Sequence, residues 1–127
     1  MSAACRVVVA NLQSGWHSQQ LHEAFRKQGC KVQAIELADC RFGTEWHCGL
    51  KIPGFAGHLP DVVFVRGIAA GSLQQVTYYL GILHALSALG VVVYNPPQAI
   101  ERSVDKSMTT FLLQRAGIPT PKRLPAF

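Results

Sequence analysis

No apolar run in the 127-residue chain approaches the roughly 18 to 20 residues needed to span a bilayer. The opening, "MSAACRVVVANL", has too short an apolar stretch, broken by an arginine, for a secretory leader. A membrane span and export are therefore not expected. The four cysteines, Cys5, Cys30, Cys40 and Cys48, make no CxxC, and they are read as reduced thiols of a cytoplasmic protein. Cys40, His47, Cys48 and His58 lie close together in the chain, but their spacing matches no standard pair of ligand knuckles, so no metal site is expected there. Acids are few: 7 Asp and Glu stand against 12 Lys and Arg, a formal net charge of +5. The basic residues are scattered, without a block of about five or six like charges. That excludes a dedicated nucleic-acid arm and fits a partner carrying phosphates or carboxylates. No GxGxxG follows the first apolar run, where "VANLQSGW" stands, and no Walker lysine is present, which argues against the usual dinucleotide fold and a P-loop. A phosphoacceptor receiver would need acids where Asn11 and Arg66 stand.

What is present is 49% hydrophobic, enough for a core in a chain of about the modal size of one domain. Three valine-rich runs, "CRVVVA" (5–10), "DVVFV" (61–65) and "GVVVYN" (90–95), are nearly continuous in hydrophobicity. Such runs read as strands covered on both faces, as in a parallel sheet flanked by helices. A fourth, "KVQAIEL" (31–37), alternates and fits a strand nearer the edge. Between the first and fourth, "HSQQLHEAFRKQG" (17–29) reads as a helix with Leu21, Phe25 and Ala24 inward, closed by Gly29. "SLQQVTYYLGILHALSALG" (72–90) starts with Ser72 and Gln75 in capping-box register and stops at Gly90. The order of elements predicts an α/β fold, an open, mainly parallel, doubly wound sheet with helices on both faces. The excursion 38–60, studded with glycine, is too long for a plain connection and reads as a small hairpin or a functional loop.

Ligands of such sheets sit outside the carboxyl ends of the strands. The residues there are Asn11, with Ser14 and Gly15 beyond it, Arg66 with Gly67, and Asn95. A guanidinium ending an apolar strand must find an acceptor or water, so Arg66 reads equally as a ligand contact or as a rim arginine paired with a local carboxylate or carbonyl. His84, mid-helix, reads as a satisfied core or interface histidine. On the same helix Gln74, Tyr78, Gly81, Ala85 and Ala88 form a stripe. It suits ordinary packing within the domain and leaves a homo-oligomer open.

"SVDKSMTTFLLQRAGIPTP" (103–121) reads as a helix capped by Ser103 and Asp105 and ended by Gly117 and Pro119. Lys106 in its first turn adds a cation to an already positive end, which costs a few tenths of a kcal/mol unless an anion sits between them.

From Asp61 to Pro121 the sequence resembles the RimK-like branch of the ATP-grasp ligases, of the α-L-glutamate ligase type. The resemblance rests on "DVVFVRG", "GSLQQVTYYLGILHALSALG" and "VVVYNPPQAIERSVDKSMTTFLLQRAGIPTP". It implies a Rossmann-like pre-ATP-grasp domain over residues 1–100, with 101–127 as the opening helix and connector of an ATP-grasp domain. It also implies a ligase that uses ATP and Mg2+ to phosphorylate a carboxylate and then lets an amine, often that of glutamate, displace the phosphate. Lys106 is similar to a lysine that contacts the ATP phosphates; Arg66, Asn11 and Asn95 would face the acceptor. That acceptor is expected to be a tetrahydromethanopterin-type cofactor, with a ribosomal protein tail as competitor. Members of this family continue well beyond a length like this one, and the continuation supplies a second phosphate-contacting lysine, the adenine pocket and the magnesium ligands. The chain is thus expected to be an amino-terminal fragment, holding no catalytic residue and inactive alone, with Pro125 to Phe127 at the start of the next strand. The competing expectation is a non-catalytic α/β module that binds a small anion or a partner protein.

Overall fold

The valine-rich runs pair side by side in a computed structural model that describes residues 4–11 and 15–122, the side chain of His47 excepted. Pro125 to Phe127 and Ser14 lie outside the described residues. In chain order the elements are β1 (Arg6–Ala10), α1 (Trp16–Lys27), β2 (Lys31–Ile35), β3 (Arg41–Phe42), β4 (Leu50–Lys51), β5 (Val62–Val65), α2 (Leu73–Ala88), β6 (Val92–Tyr94), α3 (Pro97–Val104) and α4 (Lys106–Arg115). They fall into two compact units divided after Pro97.

The first unit holds a four-stranded sheet in the order β2-β1-β5-β6, with every pair parallel. This is the open α/β sheet expected from the runs. The alternating strand β2 takes an edge, and β1, whose Val7, Val8, Val9 and Ala10 are all buried, takes the interior. The step from β1 to β2 and the step from β5 to β6 move in opposite directions, so right-handed crossovers put α1 and α2 on opposite faces. Side chains agree: Phe64 meets Phe25 of α1 edge-on at 5.8 Å, while Val63, its neighbour on the other face, is fully buried.

Helix α2 is the principal anchor. Ser72 Oγ accepts from the Gln75 N–H at 3.1 Å, and Gln75 Oε1 accepts from the Ser72 N–H at 2.9 Å, the reciprocal pair read in the sequence. Ile82, Leu83 and Leu86 are fully buried, each stabilising by about 1.5–3 kcal/mol. Helix α1 is more lightly seated: Leu21 and Phe25 are half-buried and Ala24 is exposed rather than inward. Likewise β6 is covered on one face only, for Val92 is 60% and Tyr94 55% exposed. A continuous apolar run there does not mean burial on both sides, because α1 spans β1 and β2 and stops short of the far edge.

The 38–60 excursion forms a hairpin, β3 against β4, held on α2. Tyr78 donates its hydroxyl to the Cys40 carbonyl at 2.7 Å, Phe42 meets the Tyr78 ring edge-on at 5.7 Å, and the Phe42 ring lies against Gly81, where a Cβ would meet it at an ordinary contact distance of 3.7 Å. Part of the small-residue stripe therefore packs within this unit.

In the second unit Asp105 caps α4, its Oδ1 accepting from the Met108 N–H at 3.0 Å. Ser103 does not share that role: it lies in α3 and its hydroxyl bonds back to the Ala99 carbonyl at 2.8 Å. The segment before α4 is thus a helix of its own, about two turns long. Gly117, at φ +76°, closes the run in the left-handed conformation that costs glycine least.

Candidate functional site

Two strand ends converge on one cavity. Asn11, just past β1, donates its backbone N–H to the Ile35 carbonyl at 3.1 Å. Its side chain is nearly buried, 8% exposed, and donates Nδ2–H to Ser18 Oγ at 2.7 Å. Leaving that amide unpaired would cost about 1–3 kcal/mol, so Ser18 in the first turn of α1 holds the Asn11 rotamer. Arg66, just past β5, donates its backbone N–H to the Ala10 carbonyl at 2.7 Å, which sets the ends of β1 and β5 level. Its guanidinium is exposed. Among the described residues the ion pair is Arg6 with Asp61, 3.6 Å apart at the start of these strands, and Arg66 takes part in none.

Helix α1 opens without a side-chain cap. Gly15 stands extended at the N-cap, its carbonyl accepts the first helical bond from the Gln19 N–H at 2.9 Å, and no acid occupies the first turn. The N–H groups of the first turn therefore present the positive end of the dipole uncompensated by a carboxylate. Asn11, Trp16, His17, Ser18, Arg66 and Gly67 line a cavity of about 420 Å³ at this end. Trp16 and His17 form its aromatic wall, their rings edge-on at 5.1 Å. A guanidinium, a helix start and an indole together suit an anionic group carried on a flat or apolar body.

Sequence reasoning named Asn11 and Arg66 but missed Trp16, His17 and Ser18. The available signal was that α1 starts within a few residues of β1, which puts its first turn over the same rim. Asn95 follows β6 and is exposed; it does not line this cavity. Lys106 belongs to the second unit and lines a separate cavity of about 380 Å³ with Thr109, Thr110 and Thr120. It is exposed at the first position of α4. Asp105, beside it, supplies the negative charge that a first-turn lysine otherwise lacks. The hydroxyls of Thr109 and Thr110 turn back to the Asp105 and Lys106 carbonyls at 2.9 and 3.0 Å. Among the described residues the cation lining this cavity is the Lys106 ammonium.

The cysteines and histidines of the 38–60 excursion have separate surroundings where they are described. Cys40 is fully buried and its thiol is pushed up to about 12, by desolvation first and then by the Asp39 carboxylate. His58 bonds the Ala56 carbonyl through Nδ1 at 2.9 Å, and His47 has no described side chain. Among the described residues no three His, Cys, Asp or Glu side chains gather as metal ligands, and no helix is long and apolar enough to cross a membrane.

No family model matches the chain. Over 62 residues it is 40% identical to the tetrahydromethanopterin:alpha-L-glutamate ligase of Methanosarcina acetivorans, a match that covers 49% of this chain and 19% of that one. In fold it is similar to the ATP-grasp ligase PsnB complexed with minimal precursor, at a TM-score of 0.65 and 22% identity, covering 94% of this chain and 45% of that one. The same ligase complexed with precursor peptide PsnA2 and AMPPNP matches at 0.64 and 21%, covering 96% of this chain and 48% of that one. The chain thus spans about half the length of these solved ligases and a smaller share of the curated relative. The resemblance read in residues 61–121 is borne out: sequence leads to a glutamate ligase, fold to ATP-grasp ligases.

Proposed function

We propose that this chain is part of an ATP-grasp ligase that joins glutamate to an acceptor carboxylate, and that its first unit holds the acceptor. The observation that carries the reading is the convergence of Asn11, Arg66 and the uncapped start of α1 on one cavity at the carboxyl ends of β1 and β5. ATP, when bound, would supply the phosphoryl group that turns the carboxylate into an acyl phosphate, and the amine of glutamate would then attack the acyl carbon, forming the amide as phosphate leaves. The work of this chain is positional. Arg66 pairs with an anionic group of the acceptor, worth about 1.5–3 kcal/mol for a charge-assisted bond. The α1 amides add an aligned dipole, and Trp16 offers an exposed indole face as a contact surface. Lys106 contacts a phosphate of ATP as a point charge. Magnesium is held by other parts of the ligase.

The sequence likeness to a tetrahydromethanopterin:alpha-L-glutamate ligase favours a pterin-type acceptor over a ribosomal protein tail. Incubating the whole ligase with labelled glutamate, ATP and each acceptor in turn decides the matter. Label is expected in the pterin product, and Arg66→Ala is expected to raise the acceptor KM about tenfold or more at little cost in folding. Acceptor binding without ATP-dependent transfer would leave a non-catalytic anion-binding module. An unaltered KM in the variant would reduce Arg66 to a rim residue.

A further inference from the structure

At the opposite end of the sheet from the cavity, two thiols are brought together by the β1-α1-β2 crossover. The parallel register pairs Arg6 with Lys31, and the Lys31 N–H donates to the Cys5 carbonyl at 2.9 Å. Continuing that register back by one residue sets Cys5 beside Cys30. Neighbouring strands lie about 4.8 Å apart and paired residues of a parallel ladder project to the same face, within the Cα separation of roughly 4.4–6.8 Å that a disulfide bridges. Both cysteines are free thiols, Cys5 exposed and Cys30 half-buried. We propose that Cys5 and Cys30 form a reversible dithiol–disulfide pair, a covalent modification site that staples the edge strand β2 to β1 under peroxide.

The chemistry balances with hydrogen peroxide as oxidant. One thiolate attacks a peroxide oxygen, the O–O bond breaks and hydroxide leaves, giving a sulfenic acid. The second thiolate attacks that sulfur, the S–O bond breaks and a second hydroxide leaves. The two hydroxides take up the two thiol protons, so two thiols and one peroxide become one disulfide and two waters. The two sulfurs sense each other already. Desolvation, the Cys30 thiol and the Asp61 carboxylate raise the Cys5 thiol above its ordinary range, against the opposing Arg6 guanidinium. Thiolate is the reacting form, so the reaction quickens as pH rises. The other two cysteines serve as internal controls: Cys40 is buried and held protonated, and Cys48 lies on the hairpin beyond β3.

The test is peroxide treatment of the 127-residue chain, alkylation of remaining thiols, and non-reducing peptide mapping by mass spectrometry. The expected result is a Cys5–Cys30 cross-linked peptide lighter by two hydrogens, abolished by dithiothreitol and by either Cys5→Ser or Cys30→Ser, with Cys40 and Cys48 still carrying free thiols. Intermolecular disulfides, cross-links that involve Cys48 to the same extent, or separate oxidation of Cys5 and Cys30 to sulfinic acids would each overturn the proposal.

Discussion

Asp61 shows how a single side chain can hold a strand end. Its Oδ2 accepts the Arg6 N–H at 2.8 Å, its own N–H donates to the Arg6 carbonyl at 2.9 Å, and the Arg6 guanidinium lies 3.6 Å away. The hydrogen bond from the Arg6 backbone is the main reason its carboxyl lies below the usual carboxylate range. A carboxyl lowered in the folded state contributes stability that is present above its unfolded pKa of about 3.9 and is lost as pH falls through the folded value. The wild-type chain should therefore lose stability on acidification below about pH 4, and Asp61→Asn should flatten that part of the profile in urea titrations at stepped pH. An identical acid limb in the variant would place the sensitivity elsewhere. Exposure of the carboxylate keeps the effect modest and lowers it further at high salt.

At the scale of elements, the hairpin and α2 act as one piece. The Tyr78 hydroxyl reaches the Cys40 carbonyl at 2.7 Å, and the hairpin rests its Phe42 on the same ring. Tyr78→Phe keeps the ring contact and removes one hydrogen bond, so chemical denaturation should show a loss of about 1 kcal/mol. Tyr78→Ala should cost more, about 2–3 kcal/mol for a half-buried ring, because the ring goes too. Equal costs for the two would mean that the ring carries none of the anchorage. Gly54 is a further constraint on this hairpin: it sits at φ +82°, and a Cβ there would lie 2.2 Å from Gln33 Nε2, the group that donates to the Pro53 carbonyl at 2.8 Å. The hairpin is thus tied to β2 as well as to α2.

For the molecule as a whole, the two units divide the proposed work: Asn11 and Arg66 in one, Lys106 in the other. A lone lysine at a helix start whose cap is already a carboxylate offers a triphosphate little more than a surface charge pair, worth about 0–1 kcal/mol. Calorimetry on the 127-residue chain should therefore show no micromolar affinity for ATP, and Lys106→Ala should leave that result unchanged. Micromolar binding would show that this chain alone completes a nucleotide site.

Which segments became strands was legible in the sequence, because β-branched runs such as 5–10 and 61–65 are punctuated by helices with readable caps at Ser72 and Asp105. The α/β order, the edge position of 31–37 and the hydrogen-bonding groups at the strand ends follow from chain-local chemistry. The side-by-side placement of cysteines 25 positions apart, the first turn of α1 joining Asn11 and Arg66 at one cavity, and the bare outer face of β6 came only with the tertiary structure. Each depends on strand register and on which face a crossover covers. Those are set by the packing of distant segments against one another, which no local run of residues encodes.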